Sequence, residues 1–284
     1  MSISLITVCH KSRQKIAAYV SSFLKHHPAA DERSKYQFVF VENSGDIDFQ
    51  IAVQPLMDGG FDVIVLHTAN DGFGRGCNVG AQHATGDILI FANPDIHFLG
   101  NLAPLQARDR QPFWGTVRQI TPGGRMYSID LLPENKGLFF EVFRHQLTNR
   151  FFSWFLRKSY VVGSFLIVTK DLFVKSGGFD PAFFLYYEEA ELARRLQAMK
   201  GPPIIETRVA VCHVGFGSHN SQDEIFWHEA NGFLTYCHVT LQPELLRARL
   251  KSLKLVGMVF KSSRKRYHAL NNVSKIVHLD EFTN

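Results

Sequence analysis

ILIFANPD, residues 88–95, decides how the chain is read. Five apolar residues, Ile88 to Ala92, have the length of a buried strand, and the run breaks off at Asn93, Pro94 and Asp95. Pro94 has no amide proton for a central strand and pushes Asn93 toward an extended conformation, so the sheet ends here. Taken alone, Asn-Pro-Asp is a turn with no further duty. Its neighbours decide whether the Asp95 carboxylate has one.

Upstream, the same pattern recurs three times. Short apolar runs at Ser4 to Cys9, Gln37 to Val41 and Asp62 to Leu66 alternate with amphipathic stretches at Ser12 to His26, Phe49 to Met57 and Arg75 to Ala84. Strands separated by helices predict βα units, a parallel sheet and right-handed crossovers, with Ser12 a candidate N-cap for the first helix. In such a sheet ligands bind beyond the carboxyl ends of the strands. Those ends read Cys9-His10, Glu42-Asn43-Ser44, His67 through Arg75, and Asn93-Pro94-Asp95, so polar groups gather on one edge. NDGFGRGCNVG, residues 70–80, places glycines where backbone can approach a ligand closely and leads into a helix N-terminus, a ready anion site to which Arg75 adds charge. It is not a dinucleotide fingerprint, because it follows the third strand and its spacing is GxGxxxG.

Downstream the character changes. Phe113 to Thr116 reads as a strand, residues 119–129 as a hairpin around Pro122, Gly123 and Gly124, and VVGSFLIVT, residues 161–169, as one strand. Residues 138–160 mix aromatics with cations, which suits either core packing or a flap over an amphiphilic substrate. KDLFVKSGGFD, residues 170–180, gives a short helix stopped by Gly177 and Gly178. In FFLYYEEAELARRL, residues 183–196, Glu188, Glu189 and Glu191 fall in the first turn of a helix. There carboxylates suit the macrodipole, and Glu189 points about 100° away from Glu188. Residues 206–213 form a strand ending at His213.

The 284 residues are 45% hydrophobic and 20% charged, enough for a substantial core, and are read as one domain with an appended end. The start enters a strand without a basic leader, and no apolar run reaches the ~20 residues that span a bilayer. The expectation is a cytoplasmic chain. Cys9, Cys77, Cys212 and Cys237 form no CxxC pair, so neither zinc nor a disulfide framework is indicated. Net charge is +5. Much of it sits between Arg247 and Tyr267, where Leu250, Leu253, Leu255, Val256, Val259 and Phe260 alternate with cations. That pattern predicts one amphipathic basic helix, packed on the body or touching anionic lipid.

In order along the chain, LITVCHK, VENSG, NDGFGRGCNVG, FANPD, VVGSFLIVTKDLFVKSGGFD, FFLYYEEAEL and AVCHVGFGS resemble the family 2 glycosyltransferases of GT-A fold. The resemblance covers about residues 3–220 and is nearest to the bacterial rhamnosyltransferase-like branch. It implies an α/β fold with a Rossmann-like, mostly parallel sheet flanked by helices and a C-terminal helical extension. A domain over 1–221 divides into a nucleotide-binding half, 1–98, and an acceptor half, 99–221, with the extension over 222–284.

Roles follow from the resemblance. Asp95 takes the last place of a DxD-type motif and binds Mg²⁺ or Mn²⁺ bridging the donor diphosphate, and His213 matches a histidine that completes the site. Glu42 matches a position that hydrogen-bonds the nucleoside. Val8, His10, Asn43, Asn70, Gly74, Arg75, Asn78, Asn93 and Gly163 lie in the nucleotide-sugar motifs. Glu189 aligns with the general base of the family's ED motif, with Glu188 its competitor because this chain reads EE. Asn93 replaces the first acid of a full DxD. The implied activity is inverting transfer of a sugar, rhamnose from dTDP-rhamnose first and a hexose from a UDP-sugar otherwise, to a glycan or undecaprenyl-diphosphate-linked acceptor at the inner face of the plasma membrane. A sugar-nucleotide nucleotidyltransferase would carry a Gly-rich basic loop directly after the first strand, and HKSRQK, residues 10–15, contains no Gly. A basic module for nucleic acid would spread its cations over a docking face. Here they cluster at one end and the strand-end edge carries acids.

Overall fold

A computed structural model describes residues 1–27, 30–135, 156–215, 221–258 and 261–276. Its centre is an eight-stranded sheet ordered β3-β2-β1-β4-β9-β6-β10-β5, with β1 Ile3–Cys9, β2 Tyr36–Glu42, β3 Asp62–His67, β4 Ile88–Ala92, β5 Ile96–Phe98, β6 Trp114–Ile120, β9 Phe165–Thr169 and β10 Ile204–His213. The first four strands pair in parallel. β9 runs antiparallel between β4 and β6, β10 lies parallel to β6, and β5 closes the edge antiparallel to β10. The carboxyl ends of β1, β2, β4 and β10 therefore share one edge.

Helices cover both faces, which is why the central strands read as unbroken apolar runs. On one face Ile3, Leu5, Phe38, Phe40, Ile88 and Ile90 pack against α1 (Arg13–His26) and α2 (Phe49–Asp58). On the other, Ile6, Val8, Val39, Leu89 and Phe91 meet α3 (Phe73–His83), α5 (Lys170–Lys175) and α6 (Glu188–Lys200), while the short α4 (Ala103–Gln106) puts Leu105 into the core of the first face. The C-terminal helices α7 (Gln222–Val239), α8 (Pro243–Gly257) and α9 (Lys261–Ile276) add Phe233, Leu246, Leu253, Leu270 and Val273 to this same core. Ser12 does occupy the N-cap of α1, but its side chain makes no capping bond.

Three expectations need correction. Residues 161–169 are not one strand: β8 (Ser159–Val161) pairs with β7 (Ile129–Leu131) in a separate ribbon, and the chain turns before β9. The break is held by Gln119, whose side chain reaches the Val162 carbonyl at 3.5 Å and accepts from Ser164 Oγ at 2.5 Å. The hairpin at 119–129 is reduced to a turn at Thr121–Gly124 and one bridge, Ile120 to Met126, since β7 pairs with β8 instead. The basic helix from Arg247 to Tyr267 is two helices. The chain folds back at Gly257, where an added Cβ would sit 3.0 Å from the Arg264 Cα, and Arg264 Nε donates to the Gly257 carbonyl at 3.0 Å. The aromatic residues 138–155, residues 216–220, Val259 and Phe260 lie outside the described residues. No helix among the described residues is long and apolar enough to cross a membrane.

Candidate active site

Asn93 to Ile96 form a β-turn, closed by the Ile96 N–H donating to the Asn93 carbonyl at 3.2 Å. The turn is tied at both ends. The Asn93 N–H donates to the Ser164 carbonyl at 2.9 Å, and Ile96 begins β5 opposite His213 of β10. The Val214 N–H donates to the Asp95 carbonyl at 3.2 Å, which fixes the two segments beside each other. As a result His213 Nε2 stands 3.3 Å from Asp95 Oδ1. Burial of Asp95 pushes its pKa up, but the bond and charge of His213 and the charge of Lys15 outweigh it, so the carboxyl sits below its ordinary value.

A cleft of about 510 Å³ opens beside this pair, within the usual range for ligand sites. Val8, His10, Asn43, Asn70, Asn93, Asp95 and His213 all line it. Three of them form a chain across the strand ends: His10 Nδ1 lies 3.0 Å from Asn43 Oδ1, and Asn43 Nδ2 donates to Asn70 Oδ1 at 3.2 Å. The other nucleotide-side candidates stand behind the wall. Glu42 accepts from the backbone N–H of Ser44, Gly45 and Asp46 at 2.8, 2.9 and 3.1 Å and from the Ser44 hydroxyl. Burial works to raise its pKa, and these bonds more than offset it, so Glu42 is an ionised organiser of the loop after β2. Asn78 both donates to and accepts from the backbone of Phe179, at 2.8 and 2.9 Å, and Arg75 Nε donates to the Pro181 carbonyl at 2.8 Å. Gly74 lets α3 approach Phe179, whose Cβ lies 3.0 Å from where a side chain would begin. These residues hold residues 179–181, which lead to the second acidic centre.

That centre is reached through strained backbone. Tyr186 and Tyr187 are consecutive residues at φ 69° and 70°, a conformation costing of order 1–3 kcal/mol each for a non-glycine residue. Three contacts enforce it. The Phe73 N–H donates to the Phe184 carbonyl at 2.8 Å, Gly72 leaves no room for a side chain beside Phe184, and Gly232 of α7 does the same beside Leu185 and Tyr186. Glu188 and Glu189 follow directly, outside the wall of the cleft. Glu188 is buried, and Oε2 has no hydrogen-bond partner. Burial first, and the neighbouring Glu189 second, hold its pKa well above the carboxylate range. Glu189 is half-buried beside Gly163, where an added Cβ would lie 3.4 Å from its carboxyl carbon and Oε1. Gly163 precedes Ser164, which is bonded to Asn93, so the turn that breaks the expected strand brings the two acidic centres toward one another.

Asp95 offers the carboxylate oxygen that Mg²⁺ or Mn²⁺ takes, and His213 adds an imidazole nitrogen, which would suit Mn²⁺ better than the oxygen-seeking Mg²⁺. Among the described residues no cluster of three or more His, Cys, Asp or Glu forms a complete metal cage. Two parts of the cleft escaped the sequence. Lys15 had a usable signal, since it lies in the first turn of a helix leaving a strand end. Glu224, Ile225 and His228 of α7 had none, because α7 lies beyond every motif.

The fold has solved counterparts. A mannosyltransferase from Pyrobaculum calidifontis, in complex with GDP-Man and Mn²⁺, matches 96% of this chain and 75% of its own at 15% identity and a TM-score of 0.58. TarS 1–349 of S. aureus, in complex with UDP-GlcNAc, matches 99% of this chain and 92% of its own at 14% identity and a TM-score of 0.56. At these identities the likeness shows the fold. A search of curated protein sequences finds no match. The model of the family described as Glycosyl transferase family 2 matches residues 4–173, which takes in β1 through β4, the Asn93–Asp95 turn and Gly163 but stops short of Glu188 and His213. With more than half of its length matched, and with the strand-end cleft built as described, the chain belongs to glycosyl transferase family 2.

Proposed function

We propose that this glycosyltransferase binds a nucleotide sugar along the ends of β1, β2 and β4 and passes the sugar to an acceptor hydroxyl in one inverting displacement. The observation that carries the proposal is the convergence of Asp95 and His213 on the cleft that His10, Asn43 and Asn70 also line. The solved counterparts, one holding GDP-Man with Mn²⁺ and one holding UDP-GlcNAc, support a nucleotide-sugar donor and a divalent metal.

His10, Asn43 and Asn70 present hydrogen-bonding groups to the nucleoside, while Glu42 keeps the β2 loop in place behind them. Asp95 and His213 would hold Mg²⁺ or Mn²⁺. When bound, that ion neutralises charge developing on the departing nucleoside diphosphate. Glu189 is the base: it takes the acceptor hydroxyl proton as the oxygen bonds to the anomeric carbon, and the carbon–oxygen bond to the diphosphate breaks on the opposite side. Glu188 stays protonated and does not compete for that proton. The donor is dTDP-rhamnose, or a UDP-hexose, and the acceptor is a glycan or an undecaprenyl-diphosphate-linked oligosaccharide. Leu255 and Met258 stand exposed near the exposed Lys251 and Lys254 at the α8–α9 turn, a combination suited to the anionic inner face of the plasma membrane.

A panel of nucleotide sugars, each with Mg²⁺, Mn²⁺ or chelator, tests the proposal by thermal stabilisation. One donor should raise the melting temperature only with metal, and should then support transfer with inverted anomeric configuration. Stabilisation by no nucleotide sugar, or a retained configuration, overturns it.

A further inference from the structure

The cleft has a second wall, away from the Asp95–His213 pair and the His10–Asn43–Asn70 chain to which the donor was assigned. Opposite the strand ends it is lined by Phe184, Glu224, Ile225 and His228. Phe184 and His228 are stacked, their ring centroids 5.5 Å apart and their planes 17° from parallel, and Phe184 is 45% exposed. Beside them on α7, and outside the lining of the cleft, Trp227 stands edge-on to His228 at 5.0 Å and 80° and is itself 52% exposed. His228 Nε2 lies 4.0 Å from Glu224 Oε1, one helical turn away. Large aromatic surface left open beside a carboxylate and an imidazole, and continuous with the site already described, has the chemistry of a sugar platform. Sugar C–H groups carry slight positive charge and settle on the negative face of a ring, while the hydroxyls at the rim take hydrogen bonds.

We propose that Phe184, His228 and Glu224, with Trp227 at their margin, form the acceptor subsite, and that its ligand is a pyranose ring of the glycan to be extended. The inference rests on the transferase proposal and deepens it. The subsite is built between the loop before α6 and helix α7, and the close approach at Gly232 ties the two together. An added Cβ there would lie 2.4 Å from the Tyr186 carbonyl oxygen, so α7 cannot shift without moving the loop that delivers Glu189. An acceptor seated on α7 is thereby held in register with the base. α7 lies outside residues 4–173, the part of the chain that the family model matches.

The full-length chain is titrated with methyl glycosides of common hexoses and 6-deoxyhexoses, with saturation-transfer NMR and Trp fluorescence as readouts. Trp114 is buried, which leaves Trp227 as the exposed indole among the described residues. At least one glycoside should bind, with its ring C–H protons nearest the aromatic rings. Phe184→Ala and His228→Ala should each weaken that binding at least tenfold and raise the acceptor KM similarly, leaving metal-dependent stabilisation by the donor unchanged. Trp227→Phe should lose the fluorescence response and retain binding, and His228→Phe should retain most of it. Melting curves of each variant separate lost contact from lost fold. The subsite fails if donor binds and no glycoside does, or if glycosides bind the alanine variants as well as the native chain. If glycosides bind at these rings and no nucleotide sugar binds the protein, the transferase proposal fails and the acceptor assignment falls with it, leaving a sugar-binding site.

Discussion

The two acidic centres of this molecule are built from the same chemical group and pushed in opposite directions. Asp95 lies in a turn at a strand end, beside an imidazole and near Lys15, and is held ionised despite its burial. Glu188 lies at the start of a helix behind the cleft, and burial first, with the carboxylate of Glu189 second, holds its pKa well above the carboxylate range. Position within a fold, more than residue type, decides what a carboxylate is for. Asp95 is suited to binding a cation. In the transfer proposed above, the half-buried Glu189 is the member of the Glu188–Glu189 pair assigned to accept a proton.

The sharpest way to break this contrast is to remove Asp95. Asp95→Ala should lower transfer by more than about 10³-fold and abolish metal-dependent stabilisation by the donor, because Asp95 is the one carboxylate paired with His213 among the described residues. His213→Ala should move both readouts in the same direction by less. Calorimetric donor binding, with metal and with chelator, checks both variants.

Glu189→Gln attacks the other centre and should separate the two. Transfer should fall by about 10²–10⁴-fold, the usual worth of a general base, while donor affinity and its metal dependence stay near native. Near-native turnover in Glu189→Gln, with loss in Glu188→Gln, would exchange their roles.

Glu188→Gln should act on stability before it acts on rate. A folded-state pKa raised above the unfolded value means that the stabilising protonated form is fully present below about 4.5 and is lost as pH rises through the folded value. Gln stays neutral throughout. The variant should therefore gain in melting temperature over the native chain as pH goes from about 5 to about 8, with transfer changed only a few-fold. A constant difference across that range would mean that Glu188 is not held protonated.

The contrast also shows how far the sequence could be read. β1 through β4 were legible because burial on both faces demands continuous apolar runs, and the polar residues closing them marked the edge that holds the cleft. Asp95 and His213 were each legible by resemblance, but their contact depends on β5 pairing antiparallel with β10, which no local pattern announces. Glu42, Arg75 and Asn78 looked alike in the sequence as polar groups at strand ends. Their partners turn out to be backbone groups of the β2 loop and of residues 179–181, a tertiary matter. The break at Gly163 and the fold-back at Gly257 were hidden for the same reason, because Gln119 and Arg264 enforce them from a distance.

The smallest effect concerns Asn93, the neutral neighbour in the turn. Its backbone N–H is already committed to Ser164, and its side chain reaches the cleft wall. Asn93→Asp keeps the size and the backbone bond and adds a second negative charge beside Asp95. Without metal, two close carboxylates disfavour each other's ionisation, so the variant should melt slightly lower than the native chain at neutral pH and regain the difference on addition of Mn²⁺. Metal affinity should rise by roughly tenfold, about 1.4 kcal/mol, because charge count sets affinity in oxygen-ligand sites. Turnover at saturating metal should stay within about threefold of native, since the added charge strengthens the ground state and the transition state alike. A large gain in turnover would mean instead that Asp95 and His213 alone hold the ion too weakly, and that this centre is limited by its missing acid.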